Sequence, residues 1–379
     1  MSYLVYLNNY NIRQCRAQYL WVLYEILSHD LDAHFILTEE YLRDYNKENS
    51  WEVRQAEEKY GSFKKLISKL KPENYTVMKK PEELIDTKIP SKLLFETYFY
   101  AIPTQVETIE KVLEEKDIKA GITWVNNRGF KGVLENHGIP TIHHELGPLR
   151  PPTYISTVYL DFCGVNGDTE FDRRFEEFLK ISNEVPILSR KELIRVVSPE
   201  NYNKLYKVLE NKERKYEIGV GLQVEVDTNL IIFNRGCSWI DPVLRAKADS
   251  AGKVLVRPHP LAGYIMKPDI RLDIDDIKGN PINFINKCDK IYCLNSSIGF
   301  EAMLLGREAK IMGESPFRSM CDMDESTKLK ALNFAIFGYL TSRELLFDET
   351  YYEFRLANKG NEKEIYLDNM KRLLKAAKN

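Results

Sequence analysis

The chain has 379 residues, 44% of them hydrophobic, enough for about two domains with substantial cores. Lys plus Arg total 54 against 56 Asp plus Glu, and a net charge of -2 leaves no bulk electrostatic footprint for nucleic acid or an anionic membrane. The opening MSYLVYLNNY is too short an apolar run for a signal peptide, and no segment reaches the ~18 uninterrupted apolar residues of a membrane span, so a cytoplasmic protein without a span is expected.

In chain order, Tyr3 to Leu7 alternates like a strand. Arg13 to Ser28 then sets Tyr19, Leu20, Leu23, Ile26 and Leu27 at helical spacing, and Ala33 to Leu37 returns to strand, a βαβ opening. Tyr41 to Lys71 is charged and reads as helix broken at Gly61, with a strand at Thr76 to Met78. Thr104 and Glu107 form a T-x-x-E capping signature for a helix to about Lys116. Strand Gly121 to Val125, helix Lys131 to His137 and strand Thr141 to His144 follow.

From Pro151 to Lys215 the pattern loosens, with β-like Tyr154 to Leu160, an acidic helix from Asp168 to Ile181 and a polar helical stretch from Arg190, so a lobe boundary is placed here. Tyr216 to Leu222, Lys253 to Arg257, Lys290 to Leu294 and Ala309 to Met312 recur as short strands with helices between them. A last helix covers Glu362 to Lys378. The expected fold is α/β, two Rossmann-like lobes split as 1–160 and 161–379. Six cysteines, at 15, 163, 237, 288, 293 and 321, form no CxxC pair, so reduced, mostly buried thiols are expected.

Four patches place reactive groups just after strands: HHELGPLR from His143, LQVEVDTN from Leu222, VRPHP from Val256 and NSSIGFEA from Asn295. The last is a phosphate seat in the making, because a helix that begins after small polar residues offers unpaired N–H groups and a positive dipole end. His259 stands between two prolines at a strand's carboxyl edge, where open α/β sheets bind ligands. Asp227 is open to two readings, a turn or helix cap before Thr228-Asn229, or a reactive carboxylate. Glu225 lies close by and competes for that role, and Glu301 reads either as an exposed helix carboxylate or as an acceptor for ribose hydroxyls.

Together, in this order, the patches resemble the retaining β-Kdo glycosyltransferases of bacterial capsule and O-antigen assembly, with their E-x-G, Q-V-E-x-D, R-x-H-P and N-S-S-x-G-x-E-A segments. The resemblance spans about 150 residues and leaves those before Gly121 and after Arg318 unmatched. It implies a GT-B-type enzyme, its lobes facing a central cleft, that takes Kdo (3-deoxy-manno-octulosonic acid) from CMP-β-Kdo and passes it to a glycan acceptor with configuration kept. Such retention requires a carboxylate nucleophile and an acid/base group. The resemblance implies that Asp227 is the nucleophile and that Glu145 is the general acid/base or positions the acceptor, with His259 against the leaving phosphate.

Gln223, Arg257, His259, Asn295, Ser296, Ser297, Gly299 and Glu301 are expected to bind the donor. Gly147, Arg150 and Asn127 are expected near the acceptor. Glu301 and Glu308 stand one residue off the spacing of the paired glutamates in many GT-B donor lobes, with Glu308 read as a loop residue, so only Glu301 is carried forward.

No cofactor or metal is expected: Asp30/Asp32, Asp273/Asp275 and Asp322/Asp324 match D-x-D, and three hits show how unspecific that pattern is. The partners expected are the donor and acceptor, with association or fusion to other glycosyltransferase modules and peripheral contact with the inner membrane left open. Two rival functions stand beside this one: a GT-B transferase using a UDP- or GDP-sugar with inversion, and a non-catalytic glycan-binding lobe of a larger assembly protein.

Overall fold

A computed structural model of the chain describes residues 1–7, 20–29, 31–42, 57–79, 102–224, 227–260, 266–276 and 278–377. The chain divides into two compact units. The first gathers Met1–Glu145, Leu160–Val165 and Leu345–Phe354, and the second Leu146–Tyr159, Asn166–Glu344 and Arg355–Asn379.

In the first unit, β1 (Ser2–Tyr6), β2 (Ala33–Leu37), β3 (Tyr75–Val77), β4 (Ile118–Trp124) and β5 (Thr141–Leu146) lie in the order β3-β2-β1-β4-β5. Every pairing is parallel, with Val5 opposite both Phe35 and Ile122. A parallel sheet is covered on both faces, which is why β2 is buried at all five residues. Leu4, Tyr6, Ile36, Ile109, Val112, Phe130 and Leu134 form one core where helices Pro103–Glu115 and Arg128–Asn136 pack. Gly121 permits the close approach, since a Cβ there would lie 2.1 Å from Leu134 Cδ1.

One expectation changes in this unit. The helix from Pro103 begins with that proline in its first turn and no side-chain cap, so Thr104 lies inside the helix and the Thr104/Glu107 capping box does not form. The amino-terminal part of the Arg13–Ser28 helix lies outside the described residues, which show Leu20–Ser28.

The second unit begins with part of β6 (Thr157–Asp161) and then holds β7 (Tyr216–Gly221), β8 (Val254–Arg257), β9 (Leu272–Ile274), β10 (Cys288–Cys293) and β11 (Glu308–Ile311). The last five form a parallel sheet in the order β11-β10-β7-β8-β9. The chain winds outward through β8 and β9, then restarts on the other side of β7 with β10. That reversal makes the carboxyl ends of β7 and β10 the topological switch point where doubly wound sheets hold ligands. β12 (Leu340–Ser342) pairs antiparallel with Thr157–Tyr159.

Ile218, Val220, Val243, Ala246, Val254 and Val256 pack one face of the sheet against helix Asp241–Asp249. Elsewhere in this unit Phe171, Phe175, Phe178, Phe317, Phe334 and Tyr339 stack with centroids 5.1–6.5 Å apart in adjoining pairs. The terminal helix Glu362–Ala376 joins them through Tyr366, 5.0 Å from Phe178. β9, β12 and helix Glu325–Asn333 carry no clear sequence signal. Cys288 and Cys293 end β10 as buried thiols, pushed up to about 12 by burial. Cys163 is exposed, and Cys237 and Cys321 are partly so, which corrects the expectation of mostly buried thiols.

Candidate active site

The loops leaving β7 and β10 bring three of the expected residues together. Gln223 Nε2 donates to Asn295 Oδ1 at 2.9 Å, and Asn295 N donates to Gln223 Oε1 at 3.1 Å. Asn295 Nδ2 in turn donates to the carbonyls of Asn229 (2.9 Å) and Phe233 (3.3 Å). These carbonyls belong to the short helix Thr228–Ile232 and its cap, and Asp227 is that helix's N-cap, its Oδ1 accepting from Asn229 N at 2.9 Å. Asp227 is partly exposed. The capping role is therefore real, and it also orients the carboxylate. Its rival Glu225 lies outside the described residues.

Ser296 and Ser297 open helix Ile298–Leu304. Ser297 makes no side-chain cap, and Ser296 Oγ lies 3.4 Å from Ile298 N. A cavity of about 20 Å³ at this point is lined by Asn229, Asn295, Ser297 and Ser315 among others. A Cβ on Gly299 would meet Ile311 Cγ1 at 2.9 Å and Cys293 Sγ at 3.2 Å, so the glycine admits the sheet beneath it.

Glu301, on the next turn, is half-buried, which sets aside the exposed-carboxylate reading. Burial pushes its carboxyl up to about 7, against the pull of Arg150, Tyr154 and Arg257. Tyr154 is buried. Its hydroxyl is close enough to act on that carboxylate, yet it makes no hydrogen bond of normal geometry. Nothing in the sequence singled out Tyr154. Arg150, expected near the acceptor, is thus brought to a donor-side residue, while its Nε and Nη2 donate to the carbonyls of Gly147 and Leu146. Glu308 is not in a loop: it starts β11, exposed, and pairs with Lys290 at 3.3 Å.

Arg257 ends β8 as a buried residue whose guanidinium donates to Asp275 Oδ2 (2.7 Å), Asp276 O (2.7 Å) and Gly279 O (2.5 Å). Those bonds fasten the loop after β9. His259 follows two residues later, half-buried. Three of the D-x-D residues have structural partners: Asp273 pairs with Lys253, Asp275 also binds Lys287, and Asp324 caps helix Glu325–Asn333. Asp30 lies outside the described residues.

In the first unit Glu145 is the half-buried penultimate residue of β5. Asn127 is buried, and its Oδ1 caps helix Arg128–Asn136 by accepting from Phe130 N at 2.8 Å. His143 and His144 face opposite ways, to Asp161 O and Tyr352 Oη, as alternation requires.

Residues 5–170 match the model of the glycosyltransferase 99 family N-terminal domain, and residues 182–321 match that of capsule polysaccharide biosynthesis proteins. The chain belongs to the capsule glycosyltransferase family that carries these domains. It is a capsule-polysaccharide glycosyltransferase whose two units each carry a parallel α/β sheet. No curated protein matches it in sequence.

Among solved structures it is similar to the Thermosulfurimonas dismutans KpsC beta Kdo 2,7 transferase. That match has 18% identity and TM-score 0.43, over 72% of this chain and 98% of the other. The beta Kdo 2,4 transferase of the same organism's KpsC gives 17% and 0.39, over 59% and 85%. The UDP-GlcNAc 2-epimerase of Methanocaldococcus jannaschii gives 11% and 0.30, over 88% and 92%. At these scores the likeness carries no inference about donor or mechanism. Among the described residues, no helix is long and apolar enough to cross a membrane.

Proposed function

We propose that this glycosyltransferase moves Kdo from CMP-β-Kdo to a glycan acceptor with the β configuration retained, acting in the cytoplasm. The observation that supports this reading best is the bonding of Asn295 to Gln223 and to Asn229 O at the β7/β10 switch point, because it ties the NSSIGFEA patch to the turn that Asp227 caps.

In the first displacement a carboxylate oxygen of Asp227 forms a bond to the anomeric carbon of Kdo. The bond from that carbon to the phosphate oxygen breaks, and CMP leaves with the electron pair. His259 donates a hydrogen bond to the departing phosphate, and the N–H groups that follow Ser296 and Ser297 receive its charge. In the second displacement the acceptor hydroxyl attacks the same carbon from the opposite face, Glu145 takes its proton, and the Asp227 carboxylate is released. No metal takes part in either step. Glu301 accepts from the ribose hydroxyls in its ionised form.

Nucleotide-dependent thermal shifts test the donor class. A nucleotide at a hundred times its Kd stabilises by about 2.7 kcal/mol, on the order of 5–10 °C for a unit of this size. CMP and CDP are expected to give that shift. A shift with UDP or GDP and none with CMP overturns the donor assignment.

A further inference from the structure

We infer that Gln223 and Asn295 are positioning residues, which set the turn that carries Asp227 and do not themselves touch the donor. This inference rests on the reading of Asp227 as nucleophile.

The bonds that the pair makes join the loop after β7 to the loop after β10. Gln223 gives its Nε2 to Asn295 Oδ1 and its Oε1 to Asn295 N, so both ends of its amide face Asn295. Asn295 then sends Nδ2 to Asn229 O and Phe233 O. Asn229 O also receives Phe233 N at 3.0 Å, so Asn295 reinforces the closing bond of the very turn that Asp227 caps. At the other end of that turn Asp227 Oδ1 holds Asn229 N. A continuous chain of hydrogen bonds therefore runs from the end of β7, through the loop after β10, to the carboxylate.

The surroundings leave this arrangement little room to shift. A Cβ on Gly313 would stand 2.7 Å from Phe233 O and 3.3 Å from Asn295 Nδ2, so only glycine lets the loop after β11 lie beside the junction. Gly313 N donates to Leu294 O at 2.7 Å, and Glu314 N donates to Phe233 O at 2.7 Å. Phe233 O is thus held by donors from two loops. Helix Thr228–Ile232 is a single turn, too short to hold its shape unaided. Its register comes from these outside bonds, and with it the direction of Asp227.

A pair that positions the nucleophile and a pair that binds the donor predict different kinetics. Loss of positioning slows the chemical step, whereas loss of a donor contact weakens nucleotide binding. The experiment compares Gln223→Leu, Asn295→Leu, the double variant and the milder Gln223→Glu, which keeps an oxygen for Asn295 N. Each is assayed for transfer from CMP-β-Kdo and for CMP affinity by calorimetry.

The expected result is a loss of kcat of tenfold or more in each single leucine variant, about the same loss in the double variant, and CMP affinity within about twofold of wild type. Gln223→Glu is expected to recover part of the rate. A tenfold loss of CMP affinity with kcat preserved in a folded variant overturns the inference, as does a double variant whose loss is the product of the two singles.

Hydrogen exchange separates this inference from the donor assignment. If wild type turns over no CMP-β-Kdo, the donor reading has failed, and faster exchange at the amides of Asn229 to Phe233 in Asn295→Leu still reports the positioning bonds. Unchanged exchange there overturns the positioning claim by itself.

Discussion

Arg174 grips Glu362 across 188 positions of sequence, its Nε 3.0 and 3.1 Å from the two carboxylate oxygens and its Nη2 2.8 Å from Oε2. Both residues are buried, Nη2 also donates to Gly338 O at 2.7 Å, and Glu170 lies 3.7 Å from Nη1. Breaking a buried pair strands a charge in a low-dielectric interior. Arg174→Ala should lower stability by about 3–5 kcal/mol. Glu362→Gln, which keeps acceptor capacity, should cost less. Denaturant unfolding of both variants checks the order, and equal, small losses would contradict it.

Glu301 makes the pH dependence predictable in sign. Its carboxyl is raised to about 7 by burial, so the folded state holds the proton more tightly than the unfolded chain does. The stability this group contributes is fully present below its ordinary value of 4.5 and is lost as pH rises through about 7. Glu301→Gln removes a group that must ionise, so its melting temperature should fall less than that of wild type across the same window. CMP affinity should rise with pH through about 7 in wild type and stay flat in the variant. Parallel melting curves in the two proteins would show that burial does not perturb this carboxyl.

Arg257 is expected to matter for the fold more than for the ligand, because its guanidinium already serves Asp275, Asp276 O and Gly279 O. Arg257→Lys retains one positive charge but cannot reproduce the planar set of donors, a loss of about 1–3 kcal/mol. The melting temperature should drop while CMP affinity stays within about twofold. A folded variant that binds CMP tenfold more weakly would return Arg257 to the donor site.

Gly147 illustrates how a residue marked for the acceptor loop serves packing first. Its N donates to Thr157 O at 2.8 Å, and a Cβ would fall 2.3 Å from Thr157 Oγ1 and 2.9 Å from the Thr157 carbonyl. Gly147→Ala must push the strand or the loop aside, at a cost of about 1–3 kcal/mol. Thermal unfolding reads this directly, and an unchanged melting temperature would mean that the contact yields freely.

The sheets were legible in the sequence because buried parallel strands are short, continuous apolar runs, as in Ile218 to Gly221 and Val254 to Val256. β9 escaped notice because Leu272-Asp273-Ile274 sits at a sheet edge, where one apolar face suffices. At the site, Gln223 and Asn295 stood out as polar residues after strands, but their mutual bonding did not, since the two lie 72 positions apart and meet only because β7 and β10 are neighbours. The Arg150 to Glu301 relationship was equally hidden. The bonds of Arg257 to Asp276 O and Gly279 O were hidden as well, because a buried arginine at a strand end gives the same sequence signal whether its partner is a phosphate or a carbonyl.

The central claim concerns Asp227, and the most direct measurement is the intact mass of the protein after incubation with CMP-β-Kdo and no acceptor. A covalent Kdo adduct on wild type, absent from Asp227→Ala and discharged when a suitable acceptor is added, is the predicted result. An adduct that persists in Asp227→Ala, or transfer by wild type with inverted configuration, would contradict the account.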